Sequence, residues 1–350
     1  MNTKANNRKR DSRFELLRII AILMVVLSHF DLFGQEFRLK GDVSLSTLVG
    51  SKIFIIYGQL GVDLFVLITG YFLGKRIPTV KQSINRSWKI WGEMFFYTVC
   101  LFIIFVVCKG QFLGIKTLVV SIFPFTFSVY WFVTSYIMLI LLLPFINLMI
   151  NKLNRKQFVI LILISVIFND LLPLVRNYNS TNERGLGVIL TAYLIGAYIS
   201  IFEVKLKHKI LYLTLWLFMM YLIMFAFTAF WGPSRGKGIA VSIFALVPAI
   251  LIFLIASDTK PFYNSLINKL ASTVFAGYLI TEYPPMRTWL WKFLSFSNIQ
   301  NSFVAALLGL ISVMFILFVI VFIIDSIRQK IFKVCHVDEF PDYIYNKIFD

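Results

Sequence analysis

Apolar segments of about twenty residues recur along the whole chain, and that is the length a helix needs to cross the hydrocarbon core of a bilayer. In lipid every backbone N–H and C=O must be satisfied within the protein, which leaves helices and closed barrels as the spanning structures. A barrel would show shorter segments of alternating polarity, and this chain has none of that pattern. The expectation is therefore an all-α polytopic membrane protein with about ten transmembrane helices. They fall over residues 16–33, 53–74, 89–108, 129–150, 157–175, 187–202, 210–230, 239–256, 272–291 and 302–325. Segment 117–128 is apolar but too short to span, so it reads as re-entrant or interfacial. Composition agrees: 59% of residues are hydrophobic and only 15% charged.

The 34 Lys and Arg outnumber the 17 Asp and Glu, for a net charge of +17. In a soluble chain that excess would suggest nucleic acid. Here it fits cytoplasmic loops facing anionic headgroups, or an anionic substrate. With the N-terminus inside, cytoplasmic segments carry about two Lys or Arg for each one outside, so both termini are expected in the cytoplasm. The chain then divides into a basic N-terminus (1–14), a membrane domain (15–325) and a cytoplasmic tail (326–350), read as a surface helix and a loose end. The first apolar run is too long, and lacks the small-residue cleavage site, for a signal peptide. Cys100, Cys108 and Cys335 form no CxxC and no disulfide framework. No His/Cys cluster suggests a metal.

Two polar residues interrupt the first span, ELLRIIAILMVVLSHF (15–30). Arg18 and His29 are eleven residues apart, about three helical turns, so they share nearly one face roughly 16 Å apart. Charged groups inside a span are costly and usually mark a pathway or a bound ligand. His29 is the one histidine within a span, and imidazole suits proton abstraction near neutral pH. Arg18 lies one turn inside the cytoplasmic face, where it suits an anionic ligand or lipid phosphate, with Glu15 in reach as a partner. The second span holds Asp63 near its middle, with His29 or Arg18 of the neighbouring span as expected partners. A carboxylate that orients a histidine is a recurring arrangement for a general base. Gly70 and Gly74 in the same span form a GxxxG that suits close helix packing. The stretch 75–91 is basic, with Arg86 and Lys89 among tryptophans, and reads as a cytoplasmic loop that offers an electropositive floor to a phosphorylated ligand. Glu282 precedes Pro284 and Pro285, which implies a broken helix beside a polar cavity.

Together these segments resemble the membrane acyltransferase family 3, the bacterial surface-polysaccharide O-acyltransferases. The likeness rests on Arg18 and His29 in ELLRIIAILMVVLSHF and on GVDLFVLITGYFL, which resembles the family's G-V-D-x-F-F-x-x-S-G-[FY]. Arg86-x-x-Lys89 resembles its R-x-x-R, and YWFVTSYIMLILLLP its W-F-[LIV]…P span. Thr69 stands where the family has serine, Lys89 where it has arginine, and Thr281-Glu282 where many members carry a histidine. The resemblance implies transfer of an acyl group, most often acetyl from acetyl-CoA, to a hydroxyl of a cell-surface or lipid-linked glycan at the bacterial plasma membrane. On that reading His29 is the base and Asp63 its orienting partner. Arg18, Arg86 and Lys89 hold the donor, and Tyr71, Trp131 and Glu282 line the cavity. Buried Arg, His, Asp and Glu also describe a proton-coupled transporter or glycan flippase, the alternative reading.

Overall fold

The computed structural model describes residues 10–38, 54–110, 113–175, 185–231, 243–294 and 302–349. All secondary structure among them is helical. α1 is Ser12–Arg38, α2 Tyr57–Leu73, α3 Val80–Lys109, α4 Ile115–Ile122 and α5 Trp131–Ile150. α6 runs from Arg155 through a π-helical turn at Ile167–Leu171 to Val175. α7 is Leu186–Phe202, α8 Lys209–Trp231, α9 Ile243–Asp258, α10 Ser265–Ala271, α11 Val274–Glu282 and α12 Pro284–Phe293. α13 runs from Ser302 through a second π-helical stretch to Val334, and α14 is Phe340–Phe349. A helix lies in each expected span, although residues 53 and 239–242 fall outside the described residues.

Four helical stretches are long and apolar enough to cross a membrane: Ser12–Gly34, Val80–Cys108, Trp131–Ile150 and Val304–Val334. Tyr57–Leu73, Leu186–Phe202, Lys209–Ile223 and Ile243–Asp258 are shorter apolar helices. Side chains facing outward from α8 and α13, such as Phe218, Leu222, Ile323 and Ile327, are apolar and exposed, as lipid-facing surfaces must be.

Two sequence expectations change. The basic stretch is helix rather than loop. Thr79 caps α3 by accepting from Gln82 N, and the Gln82 side chain returns a bond to the Thr79 amide. That capping box starts the helix well before the apolar run and places Arg86 and Lys89 on it. The ninth span is broken where Pro284 and Pro285 imply it, into α11 and α12, which part at Tyr283, whose ψ of 123° leaves the helical region. Prolines at the first turn of α12 suit a helix start and forbid continuity. The tail is no loose end: α13 continues to Val334, and α14 docks back on α3, with Trp88 Nε1 donating to Val337 O at 2.8 Å. The segment expected to be re-entrant holds α4, a single helix of eight residues.

α2 is the central helix, packed between α1 and α7. A Cβ at Gly61 would meet the Ala21 carbonyl, and one at Gly70 the Tyr193 carbonyl. From the α7 side, a Cβ at Gly196 would meet the Leu67 carbonyl. Small residues let backbones approach where the hydrophobic effect gives no drive between helices. At the basic end Asn147 reinforces the packing by donating to Leu73 O and Arg76 O at 2.8 and 2.7 Å. There is nowhere for added volume to go, so Gly196→Val is expected to cost at least about 1–3 kcal/mol. The check is a lower thermal midpoint of the purified protein in detergent.

Candidate active site

His29 sits on the face of α1 that meets α11. Its Nδ1 stands 2.9 Å from Glu282 Oε1, with both side chains 11% exposed. The atoms meet outside regular hydrogen-bond alignment, and neither has another hydrogen-bond partner among the described residues. A small ring rotation would complete the bond, and catalytic bonds are commonly loose before substrate binds. The second carboxylate oxygen, Oε2, is 3.6 Å from Arg287 Nη1 on α12. The Arg287 guanidinium carbon lies 4.3 Å over the Phe33 ring. The helix break at Tyr283 makes this group possible. It ends α11 at Glu282 and brings Arg287, on a new helix, back to the same carboxylate.

Aromatic rings wall the pair. The Tyr278 ring centroid is 6.1 Å from that of His29, 5.9 Å from Tyr130 and 6.1 Å from Phe132. Tyr278 lies one turn before Glu282, on the same face of α11. Tyr130 OH donates to Leu279 O at 2.9 Å, which fixes the start of α5 against α11. Trp131 follows, half-buried beside Phe132.

Asp63 stands elsewhere. Gly58 meets Ser28 and Gly61 meets Ala21 and Val25, so the antiparallel register puts Asp63 about 12 Å below His29 along the α1 axis. It shares a face with Leu67 and Gly70, the side of α2 that meets α7. There its carboxylate accepts from Gln59 Nε2 at 2.8 Å. The carboxylate beside His29 is thus Glu282, in the place where Asp63 was expected.

A second polar group lies at the basic end. Arg18 Nη1 pairs with Glu15 Oε1 at 2.6 Å and remains 29% exposed. Thr69 Oγ1 and Tyr136 OH share a hydrogen bond at 2.9 Å, and Tyr136 feels the charges of both Arg18 and Arg86. Ser83, Arg86 and Ser87 follow one another at i, i+3 and i+4, on one face of α3. The two serines are buried, and their hydroxyls, with Arg86 Nη1, have no hydrogen-bond partner among the described residues. Thr98, Thr281 and Ser326 instead donate to a carbonyl one turn back, the usual resort of a hydroxyl in a buried helix. Three unspent donors on one face, beside a second arginine, form a cradle suited to an anion.

A family model described as an acyltransferase domain matches residues 11–324, nearly the whole chain. The chain belongs to acyltransferase family 3. Comparison with curated proteins and with solved structures finds no match. The match makes the protein a membrane-type acyltransferase that acts on groups other than amino-acyl.

In this acyltransferase the residues expected to act together fall into two places. His29, Glu282 and Trp131 belong to the upper group, Arg18 and Arg86 to the basic end. Tyr71 joins neither pair and stacks on Phe14 at 5.5 Å in an aromatic cluster with Phe72 and Phe253. Lys89 leaves the cradle face and pairs with Asp338 Oδ2 at 3.3 Å. The sequence reading missed Arg287, Tyr278, Ser83 and Ser87. The spacings of Tyr278 to Glu282 and of Ser83 to Ser87 carried a signal, but Arg287 had none, because its role depends on the turn at Tyr283. Gln59→Leu is expected to strand the Asp63 carboxylate and cost about 1–3 kcal/mol. A lowered thermal midpoint in detergent, with the His29–Glu282 pair untouched, checks this.

Proposed function

We propose that this protein is an O-acetyltransferase of the bacterial plasma membrane. It moves an acetyl group from acetyl-CoA to a hydroxyl of a cell-surface or lipid-linked polysaccharide. The observation that carries the reading is the buried His29–Glu282 contact at 2.9 Å.

His29 acts through Nε2, since Nδ1 faces Glu282. The acceptor hydroxyl gives its proton to Nε2 as its oxygen attacks the thioester carbonyl. The tetrahedral intermediate then expels the coenzyme A thiolate, which takes that proton back. Glu282 fixes the tautomer with the proton on Nδ1 and stabilises the imidazolium as it forms, the role a carboxylate plays in a triad. Arg287, 3.6 Å from the other carboxylate oxygen, holds Glu282 turned toward the ring. Tyr278, Tyr130 and Phe132 exclude water, which strengthens the pair and limits hydrolysis.

The donor is anionic, and the chain's basic end is where the charge distribution expects the cytoplasm. Arg18, Arg86 and the hydroxyls of Ser83 and Ser87 suit its phosphates there. Asp63, between the two groups along α2, is proposed as a buried support of the passage rather than the orienter of His29. The acceptor approaches from the opposite end, which His29 is nearer.

The test is glycan acetylation in cells that carry variants at normal membrane levels. General-base catalysis contributes about 10²–10⁴, so His29→Ala should lower the rate at least roughly 100-fold. Glu282→Gln should lower kcat with the donor KM little changed. Full activity of His29→Ala would sink the mechanism. Substrate movement that depends on a proton gradient and needs no acyl donor would favour a carrier instead.

A further inference from the structure

The helix break at Tyr283 carries the active pair, yet little in its backbone fixes its angle. Pro284 and Pro285 have no N–H, so two of the helical hydrogen bonds that would cross from α11 to α12 cannot form. The groups on both sides of the break hang on Tyr283. Glu282 precedes it directly, and Arg287 N, in the first turn of α12, donates to Tyr283 O at 2.8 Å. The Tyr283 side chain is buried with Leu101, Phe102 and Phe105 of α3, and Leu118 of α4 packs against that cluster. Its hydroxyl lies 2.9 Å from Ser121 Oγ, also on α4.

Polarity in α4 runs opposite to that of a helix on a soluble core. Its sequence is IKTLVVSI, and the buried residue is Ser121, while Ile115, Val119 and Ile122 are exposed. An apolar outer face suits a helix at the lipid boundary. A buried serine has no need of a tyrosine, because it can donate to a carbonyl one turn back. Ser121 does so, to Thr117 O at 2.8 Å. That bond spends its single hydrogen and leaves its oxygen as an acceptor, so the Tyr283 hydroxyl donates to Ser121 Oγ. The serine thereby joins a turn of α4 to the residue at the break.

We propose that Ser121 and Tyr283 are positioning residues for acyl transfer, and that their hydroxyl bond lets α4 set the angle between α11 and α12. That angle decides whether Glu282 meets His29 and Arg287 together. Glu282 Oε1 is 2.9 Å from His29 Nδ1, and Oε2 is 3.6 Å from Arg287 Nη1. These three groups stand on α11, α1 and α12. A swing of α12 about Tyr283 lengthens the Arg287 contact first and frees the carboxylate to turn away from the ring. A misplacement of about 1 Å costs about 100-fold in rate, so a break with few backbone bonds needs such an anchor. Neither residue touches the reacting atoms, and both act through Glu282. The inference rests on the His29–Glu282 mechanism proposed above, in which α4 has no other part.

The experiment compares Ser121→Ala, Tyr283→Phe and the double variant, each as the full-length protein. Membranes that hold them receive acetyl-CoA labelled in the acetyl group, and label in the endogenous glycan is followed as donor concentration varies. Each single variant is expected to lower kcat roughly tenfold, part of the loss that a misplaced group causes, with the donor KM unchanged. The double variant should lose no more than either single one, because the two hydroxyls act as a unit. Amide hydrogen exchange of the purified proteins in detergent should rise over residues 286–289 in all three. A serine that serves stability alone would lower the thermal midpoint and leave kcat per folded protein unchanged. Wild-type kcat in Tyr283→Phe, losses that multiply in the double variant, or a change in donor KM in place of kcat each overturns the proposal. Glycan left unlabelled by the wild type overturns the acetyl-transfer reading instead. Exchange then decides the positioning role: a rise over 286–289 upholds it, and no change overturns it.

Discussion

The close approach of α2 to its neighbours is the constraint on which the rest depends. Glycines at 61 and 70 on α2, and at 196 on α7, remove the side chains that would hold three backbones apart. In a lipid environment this packing must do work that the hydrophobic effect does in water. It also sets the register. With Gly61 against Ala21 and Gly70 against Tyr193, every polar group on α2 has a fixed height and a fixed face. Thr69 therefore meets Tyr136, and Asp63 turns toward Gln59 rather than toward His29. A one-residue slip would turn each of them toward another helix.

The polar groups are separated along the bundle in a way that suits two substrates of different character. The basic end gathers Arg18, Arg86 and two hydroxyls with unspent donor capacity. About three turns of α1 away, a histidine and a carboxylate face each other inside an aromatic wall. Further polar groups are neutralised locally. Arg328 pairs with Asp325 at 2.6 Å and lies 3.5 Å from Glu93, and Tyr97 donates to Asp325 at 2.8 Å. That cluster joins α3 to α13 and sets its charges against one another, as buried charges require, although Glu93 Oε1 has no hydrogen-bond partner among the described residues. What singles out the cradle is that its open groups at Ser83, Arg86 and Ser87 are donors gathered on one helix face.

Several features were legible because they depend on near neighbours in the chain. Helix positions follow from runs of apolar residues, so each expected span holds a helix. The break after Glu282 follows from Pro284 and Pro285. The Arg18–Glu15 pair follows from a three-residue spacing. Boundaries were harder. Thr79 and Gln82 start α3 through a cap, a signal that hydropathy ignores, and the tail's docking depends on Trp88 meeting Phe340 across 252 positions of sequence.

The sequence alone determined that the chain is helical, apolar and built to meet lipid, because backbone satisfaction in a bilayer leaves few choices. It also determined which rare polar residues had to matter, since each is costly to bury. Partnership was decided only by the tertiary structure. Asp63 and Glu282 are both carboxylates within apolar segments, and nothing local says which one faces His29. The α1–α2 register and the turn at Tyr283 choose Glu282. Helix rotation likewise divides Arg86 from Lys89, three residues apart, between an inward cradle and an outward face held by the tail. Side-chain chemistry is written residue by residue, but the pairing of those chemistries is a property of how helices pack.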